Sequence, residues 1–310
     1  MTDFSALEAE AQKIINTAVA AQAATDKVSL DAANAKIAEL QAQLPKPTPV
    51  VVTSKKVTLG TNLGDTGKWD DHFKKFPALT WARCYNIGQV AAARAGGAKH
   101  VLLSMSSSAF YPDGTKATID RIVAAAVKFV QDAALVAGDK FTYIHEFNTP
   151  NKNLVRFEAS GYGWTTAFRA IKAAVQKVIP GLLVGVVPTA YGVITGQCDP
   201  FWLKDGEQDF YSPDAYAGLN GGNAAASFKS VITPVVAKIR THYPKVRIDF
   251  PEMNTTDVTL SAKWFAQAAI DAPVVTGQDT TIFLFQDHDA LKASDFTAYV
   301  PALKFAGFVA

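Results

Sequence analysis

Phe141-Thr142-Tyr143-Ile144-His145-Glu146-Phe147-Asn148 and Arg247-Ile248-Asp249-Phe250-Pro251-Glu252-Met253-Asn254 are two β-branched, aromatic-rich runs that each end in Glu-x-Asn. Around them the chain repeats one unit, in which a short strand-type run leads through a polar or Gly-rich loop into a helical stretch. The expected strands are Val57 to Thr61, Thr80 to Tyr85, His100 to Ser104, Phe141 to His145, Leu183 to Val187, Asp209 to Ser212, Arg247 to Pro251 and Thr281 to Gln286. Between them, Lys116 to Val136, Trp164 to Val178, Ala225 to Tyr243 and Leu260 to Ala272 carry apolar residues at three- and four-residue spacing, the helical period. Shorter helical stretches are expected around Trp69 to Phe76, Ile87 to Ala95 and Phe201 to Leu203. Strands alternating with helices imply a parallel sheet, and eight such units over about 250 residues predict an α/β fold, a (β/α)8 TIM barrel spanning 57–310.

The N-terminal region reads differently. Phe4, Leu7, Ala11, Ile14, Ala18, Ala21 and Val28 follow an alternating three-four spacing, and after Thr25-Asp26 a second series runs Leu30, Ala33, Ile37, Leu40 and Leu44. These are heptad seams in two registers, and so narrow an apolar stripe needs a partner to cover it. Residues 1–44 are therefore expected to form an α-helical coiled-coil stalk for oligomerisation or attachment. Pro45-Lys46-Pro47-Thr48-Pro49 cannot continue a helix, which makes 45–56 a Pro-rich linker.

Composition sets bounds on function. The chain has 310 residues, 49% of them apolar, and a net charge of +2, which argues against nucleic acid or a membrane as the main partner. No charged-then-apolar export signal is evident near the start. Cys84 and Cys198 are the only cysteines, and they read as unpaired thiols. Ser104 to Ser108 lacks the Gly-x-Ser-x-Gly context of a serine hydrolase, and Gly60-Thr61-Asn62-Leu63-Gly64 lacks the lysine of a phosphate loop and reads as a turn. His72, His100, His145, His242 and His288 are scattered, so no metal centre and no cofactor are expected.

In a barrel of this kind the active site lies at the C-terminal ends of the strands, where Glu146 and Glu252 are expected to stand. Strand alternation puts Glu252 in phase with Ile248 and Phe250, Glu146 in phase with Thr142 and Ile144, and Asp249 on the opposite face beside a basic partner. Two facing carboxylates, one protonated and one ionised, are the machinery of glycosidic bond cleavage: the acetal needs a proton on its departing oxygen and an anion on the opposite face.

His145-Glu146-x-Asn148 at the fourth strand, with Pro251-Glu252 at the seventh, resembles the clan A glycoside hydrolases, and the histidine before the acid is similar to family 26, the β-mannanase group. That resemblance implies a retaining mechanism, with Glu146 as acid/base and Glu252 as nucleophile. It also implies supporting roles for Arg83 on the second strand, for His145 and Asn148, and for Asp214 and Tyr216 after the sixth. Trp164, Tyr191, Asp287 and His288 are weaker candidates for substrate contact. Phe285-Gln286-Asp287-His288 stands where many clan members place a tryptophan, and Phe147-Asn148-Thr149 replaces the Met-Asn-Gly of mannanases, so mannan specificity is not implied. The helical stalk, linker and barrel together resemble the minor tail proteins of actinobacterial phages. This implies a virion-borne enzyme acting on host-surface polysaccharide, held as a trimer or docked to other tail proteins through its N-terminal helix. The alternatives are a carbohydrate- or receptor-binding tail component without turnover, and a free bacterial glycanase.

Overall fold

The computed structural model describes residues 56–62, 72–219, 222–257, 259–285 and 300–305. The stalk at 1–44 and the linker, Lys56 apart, lie outside the described residues, as do Asp287 and His288. Eight parallel strands are present: β1 (Val57–Asn62), β2 (Leu79–Cys84), β3 (His100–Met105), β4 (Lys140–Tyr143), β5 (Leu183–Gly185), β6 (Ala215–Ala217), β7 (Phe250–Thr255) and β8 (Thr280–Phe285). They form one sheet in the order β5-β4-β3-β2-β1-β8-β7-β6. Its two ends are joined by parallel bridges, Val186 to Tyr211 and Phe210 to Arg247, so the segment before β6 closes the gap between β5 and β7. The sheet is curled and the arrangement is consistent with a (β/α)8 barrel.

The helices among the described residues are α1 (His72–Lys75), α2 (Ile87–Ala95), α3 (Lys116–Asp132), α4 (Trp164–Val178), α5 (Ala190–Thr195), α6 (Phe228–His242), α7 (Ser261–Thr276) and α8 (Val300–Phe305). Their starts follow from capping chemistry. Asn86, Thr115, Thr189 and Ser227 each accept a backbone N–H from the first turn of α2, α3, α5 and α6. In α4 the residues at helical spacing, Trp164, Phe168, Ile171 and Val175, are fully buried against the strands. Burying each such side chain stabilises the fold by roughly 1.5–3 kcal/mol.

A second, smaller core fills the space enclosed by the strands. Trp81, Leu102, Val187, Phe210 and Phe283 pack there. Gly60 belongs to β1 rather than to a turn, because a Cβ at this position would meet Phe283 Cδ1 at 2.5 Å and Trp81 Cβ at 2.9 Å. Only glycine lets those rings close over the strand.

Asp249 lies in this interior and not on the helix-facing side that simple alternation assigns it. Lys140 Nζ is 2.7 Å from its Oδ2 and sits over the Trp81 ring, Arg247 Nε is 2.8 Å from the same oxygen, and Thr281 N–H donates to Oδ1. Ile248 and Phe250 instead face the helices, with Phe250 edge-on to Phe228 of α6. The reason is an irregularity in β7. Phe250 pairs with Ile282 and Met253 with Leu284, so three steps on β7 oppose two on β8. One extra residue reverses the phase, and Pro251, which has no N–H for the ladder, stands within it. Glu252 therefore shares the interior face with Asp249.

Candidate active site

Glu252 is the centre of the site. It is 5% exposed, and the groups in hydrogen-bond or ion-pair contact with its two oxygens are His145, Arg83 and two tyrosine hydroxyls. Arg83 Nη2 lies 3.5 Å from its Oε1, His145 Nε2 lies 3.2 Å from the same oxygen, and the Tyr85 hydroxyl donates to it in a short hydrogen bond. Tyr216 donates to Oε2 at 3.2 Å. Burial alone would raise the pKa of this carboxyl; His145, then Arg83 and Tyr85, overcome it and bring it down to about 2.

The donors are themselves held. Arg83 is fully buried, its Nη1 donates to Ser104 Oγ at 2.6 Å, and its guanidinium lies over the Tyr85 ring. Asn62, at the end of β1, donates to the Tyr85 hydroxyl at 2.8 Å. Alternation along β2 places Arg83 and Tyr85 on the same face. Tyr85 and Ser104 are the residues the sequence reading missed, and the Arg-x-Tyr spacing at the end of a strand is the signal that points to Tyr85.

His145 does not follow β4 in extended form. The strand stops at Tyr143, and Ile144 and Glu146 adopt left-handed backbone with φ of 55° and 51°. For a β-branched residue such as Ile144 this is strained. The segment is nevertheless tied at every step: Ile144 N–H to Met105 O, His145 N–H to Ser106 Oγ, Glu146 N–H to Val187 O, and Lys152 Nζ to the carbonyls of both His145 and Glu146. The kinked path aims His145 at the interior, where its Nε2 also lies 3.3 Å from Asp214 Oδ2 and 4.0 Å from Glu146 Oε2. Burial works to lower the His145 pKa, but the Glu252 and Asp214 carboxyls prevail and raise it to about 9. Asp214 is held well above the carboxylate range by burial and the adjacent Glu252 charge, against the pull of His145. Glu252 is thus held as a carboxylate beside an imidazolium, with Asp214 shifted towards its protonated form.

His145, Asp214 and Glu252 are close enough together to present three ligand atoms to a metal ion. Glu252 Oε1, however, already receives Arg83 and Tyr85, so an added dication would sit beside a buried guanidinium. The imidazolium supplies the positive charge that the two acids need.

Glu146 stands at the mouth, with 30% of its side chain exposed, on a cleft of about 800 Å³ that Asp214, Tyr216 and Tyr191 also line. Asn148 is not in that cleft. Its amide donates to Thr189 Oγ1 and accepts from Thr189 N–H, tying the β4 loop to the start of α5, and Gly192 leaves room for it. Trp164, expected at the substrate, is fully buried and stacked between Phe147 and Phe168, so it has no face to offer a sugar ring. Cys84 and Cys198 are both free and buried.

No family model and no curated protein sequence matches the chain. Among solved structures it is similar to ScGas2 in complex with compound 9, with a TM-score of 0.52 and 12% identity over 82% of this chain and 64% of that one. It is also similar to a calcium-binding mutant of Bacteroides uniformis β-glucuronidase 2, with a TM-score of 0.51 and 9% identity over 76% of this chain and 32% of that one. A family 39 glycoside hydrolase from the gut symbiont Bacteroides cellulosilyticus WH2 aligns with a TM-score of 0.49 and 14% identity over 81% and 64% of the two chains. The chain spans less than two thirds of the length of each. The chain shares its architecture with ScGas2 and the β-glucuronidase; at such identities the likeness is one of fold alone, and it does not reach family 26 or a phage tail protein.

Proposed function

We propose that the protein is a retaining O-glycoside hydrolase in which Glu252 is the nucleophile and Glu146 the acid/base. The observation that carries this reading is the surroundings of Glu252: a buried carboxylate kept ionised by His145 and Arg83 and oriented by Tyr85 and Tyr216. A nucleophile for an anomeric carbon must be anionic, aimed and free of bulk water, and these four donors meet those needs. Glu146 lies on the open side, next to the cleft through which a leaving group departs, where a proton can be returned from solvent between turnovers. His145 links the two carboxyls electrostatically. The glycoside-hydrolase-like fold supports the class of reaction.

The biological setting we propose is a phage tail, with host-surface polysaccharide as substrate and the N-terminal helix as the attachment to other copies or tail proteins. It rests on the heptad seams, the proline linker and the barrel that follows them. The second reading, a carbohydrate-binding tail component without turnover, draws on the strand-eight sequence, which has no tryptophan for a sugar platform. An NMR time course of products from cell-envelope polysaccharide separates the possibilities for mechanism. Retention of anomeric configuration supports the two-step route, and inversion would rule out Glu252 as a covalent nucleophile.

A further inference from the structure

The cleft that leads to Glu146 has an unusual wall for a sugar site. Sugars are bound by hydrogen-bonding groups and flat aromatic faces; here Thr149, Gln197, Asn223 and Ser230 offer the former and Tyr191 the latter, but most of the remaining wall is aliphatic. Tyr191 and Ile194, three residues apart on one face of α5, are 45% and 50% exposed, and Leu219 beyond β6 is 42% exposed. Val231 and Pro234 of α6 continue the same surface. Three of the large apolar side chains that the described residues leave open to solvent thus converge on one cleft, and that cleft also holds Glu146, Asp214 and Tyr216. Glu252 is buried behind it.

We infer that the leaving-group side of this cleft takes an apolar aglycone, an alkyl or acyl chain attached close to the scissile glycosidic bond, which narrows the proposed host-surface substrate to a lipid-linked glycan cut at its lipid end. The inference rests on the assignment of Glu146 as acid/base. An acid/base protonates the oxygen that departs with the aglycone, so the wall adjoining Glu146 is the aglycone's wall. A polar oligosaccharide could stack on Tyr191 but would leave Ile194 and Leu219 exposed to water or set against hydroxyl groups. A hydrocarbon chain would bury them, with a gain of up to about fourfold in affinity per methylene removed from water.

The test uses the full chain carrying Glu252→Gln, which separates binding from turnover, and calorimetric titration with pairs of methyl and n-octyl β-glycosides of glucose, galactose and mannose below micelle-forming concentrations. The expected result is at least tenfold tighter binding of the octyl member of one pair, reduced to near the methyl value by Ile194→Ser or Leu219→Ser. These side chains are exposed, so the variants keep the fold. Equal affinity for both members of every pair, no binding of any of them, or octyl binding unaffected by both substitutions would overturn the inference. So would concentration-dependent self-association that Ile194→Ser abolishes, since the wall would then face a second copy. Turnover of the same pairs by the unsubstituted protein is read separately. Hydrolysis of methyl and octyl glycosides with equal KM sinks the aglycone inference and leaves the glycosidase standing; octyl binding without hydrolysis sinks the glycosidase and the aglycone assignment with it, and leaves only a cleft that binds alkyl chains.

Discussion

His145 organises the chemistry of the site. Its Nε2 faces three carboxyls at 3.2, 3.3 and 4.0 Å, and its pKa is raised to about 9 because two of them are buried with it. A histidine with a raised folded-state pKa adds stability that is fully present below its ordinary value near 6.5 and is lost as pH climbs through about 9. The same deprotonation removes the cation that keeps Glu252 ionised and aimed, so activity is expected to fall on the alkaline side near pH 9. NMR titration of the imidazole should give a midpoint near that value, moving back towards the ordinary range in Glu252→Gln; an unshifted midpoint in the parent protein would contradict the cluster. Tyr85→Phe removes one donor from the nucleophile while preserving its ring, and kcat should fall by on the order of 10²-fold with KM little changed. Steady-state kinetics on the same polysaccharide would detect a change confined to KM, which would make Tyr85 a substrate contact instead. Arg83, Asp214 and Tyr216 entered through the resemblance to clan A hydrolases, and the structure places all three around Glu252 and His145. Tyr85 was not legible in the sequence, since a tyrosine closing a strand is commonly a packing residue and only the observed distance to Glu252 distinguishes it.

At the scale of elements, β7 and the β4 loop show where a period-two reading runs out. Asp249, immediately before β7, and Glu252 within it both face the interior, three residues apart, and the extra residue around Pro251 allows it. The left-handed pair Ile144 and Glu146 likewise interrupts the alternation that would have carried β4 on to His145. Neither irregularity has a reliable signature in residue type: Pro251 hints at the first, while Ile144 is among the residues least suited to its conformation. Helices were easier. α2 and α4 coincide with the expected Ile87 to Ala95 and Trp164 to Val178, whereas α5 was missed because six residues are too few to show a period. The buried pair in the interior gives a stability prediction. Lys140→Met removes one of the two cations beside buried Asp249, leaving Arg247 and the Thr281 N–H, and should cost roughly 3–5 kcal/mol in urea unfolding. Gly192→Ala would press a methyl into the Asn148 side-chain amide, and should cost about 1–3 kcal/mol while loosening the β4 loop. Unchanged urea midpoints in the two variants would show that the site's supports are less rigid than the distances imply.

For the whole molecule, the barrel was legible because its strand-loop-helix units recur often enough to be counted, and closure then fixes which ends of the strands carry the site. The stalk is a different matter, since heptads state the need for a partner without naming it. If residues 1–44 bring copies together, light scattering should report an oligomer for the full chain and a monomer for 57–310, and equal masses with no captured partner would leave the attachment proposal without support. Enzyme or binding module is the larger question, and Glu252 decides it. The direct measurement is release of reducing ends from purified cell-envelope polysaccharide by the unsubstituted protein and by Glu252→Gln, with binding followed in parallel. The expected result is release by the parent protein, none by the variant, and retained binding by both. Binding by the parent protein with no product across a broad set of envelope glycans, and binding by Glu146→Gln and Glu252→Gln as tight as the parent's, would contradict catalysis and make the barrel a receptor-binding module.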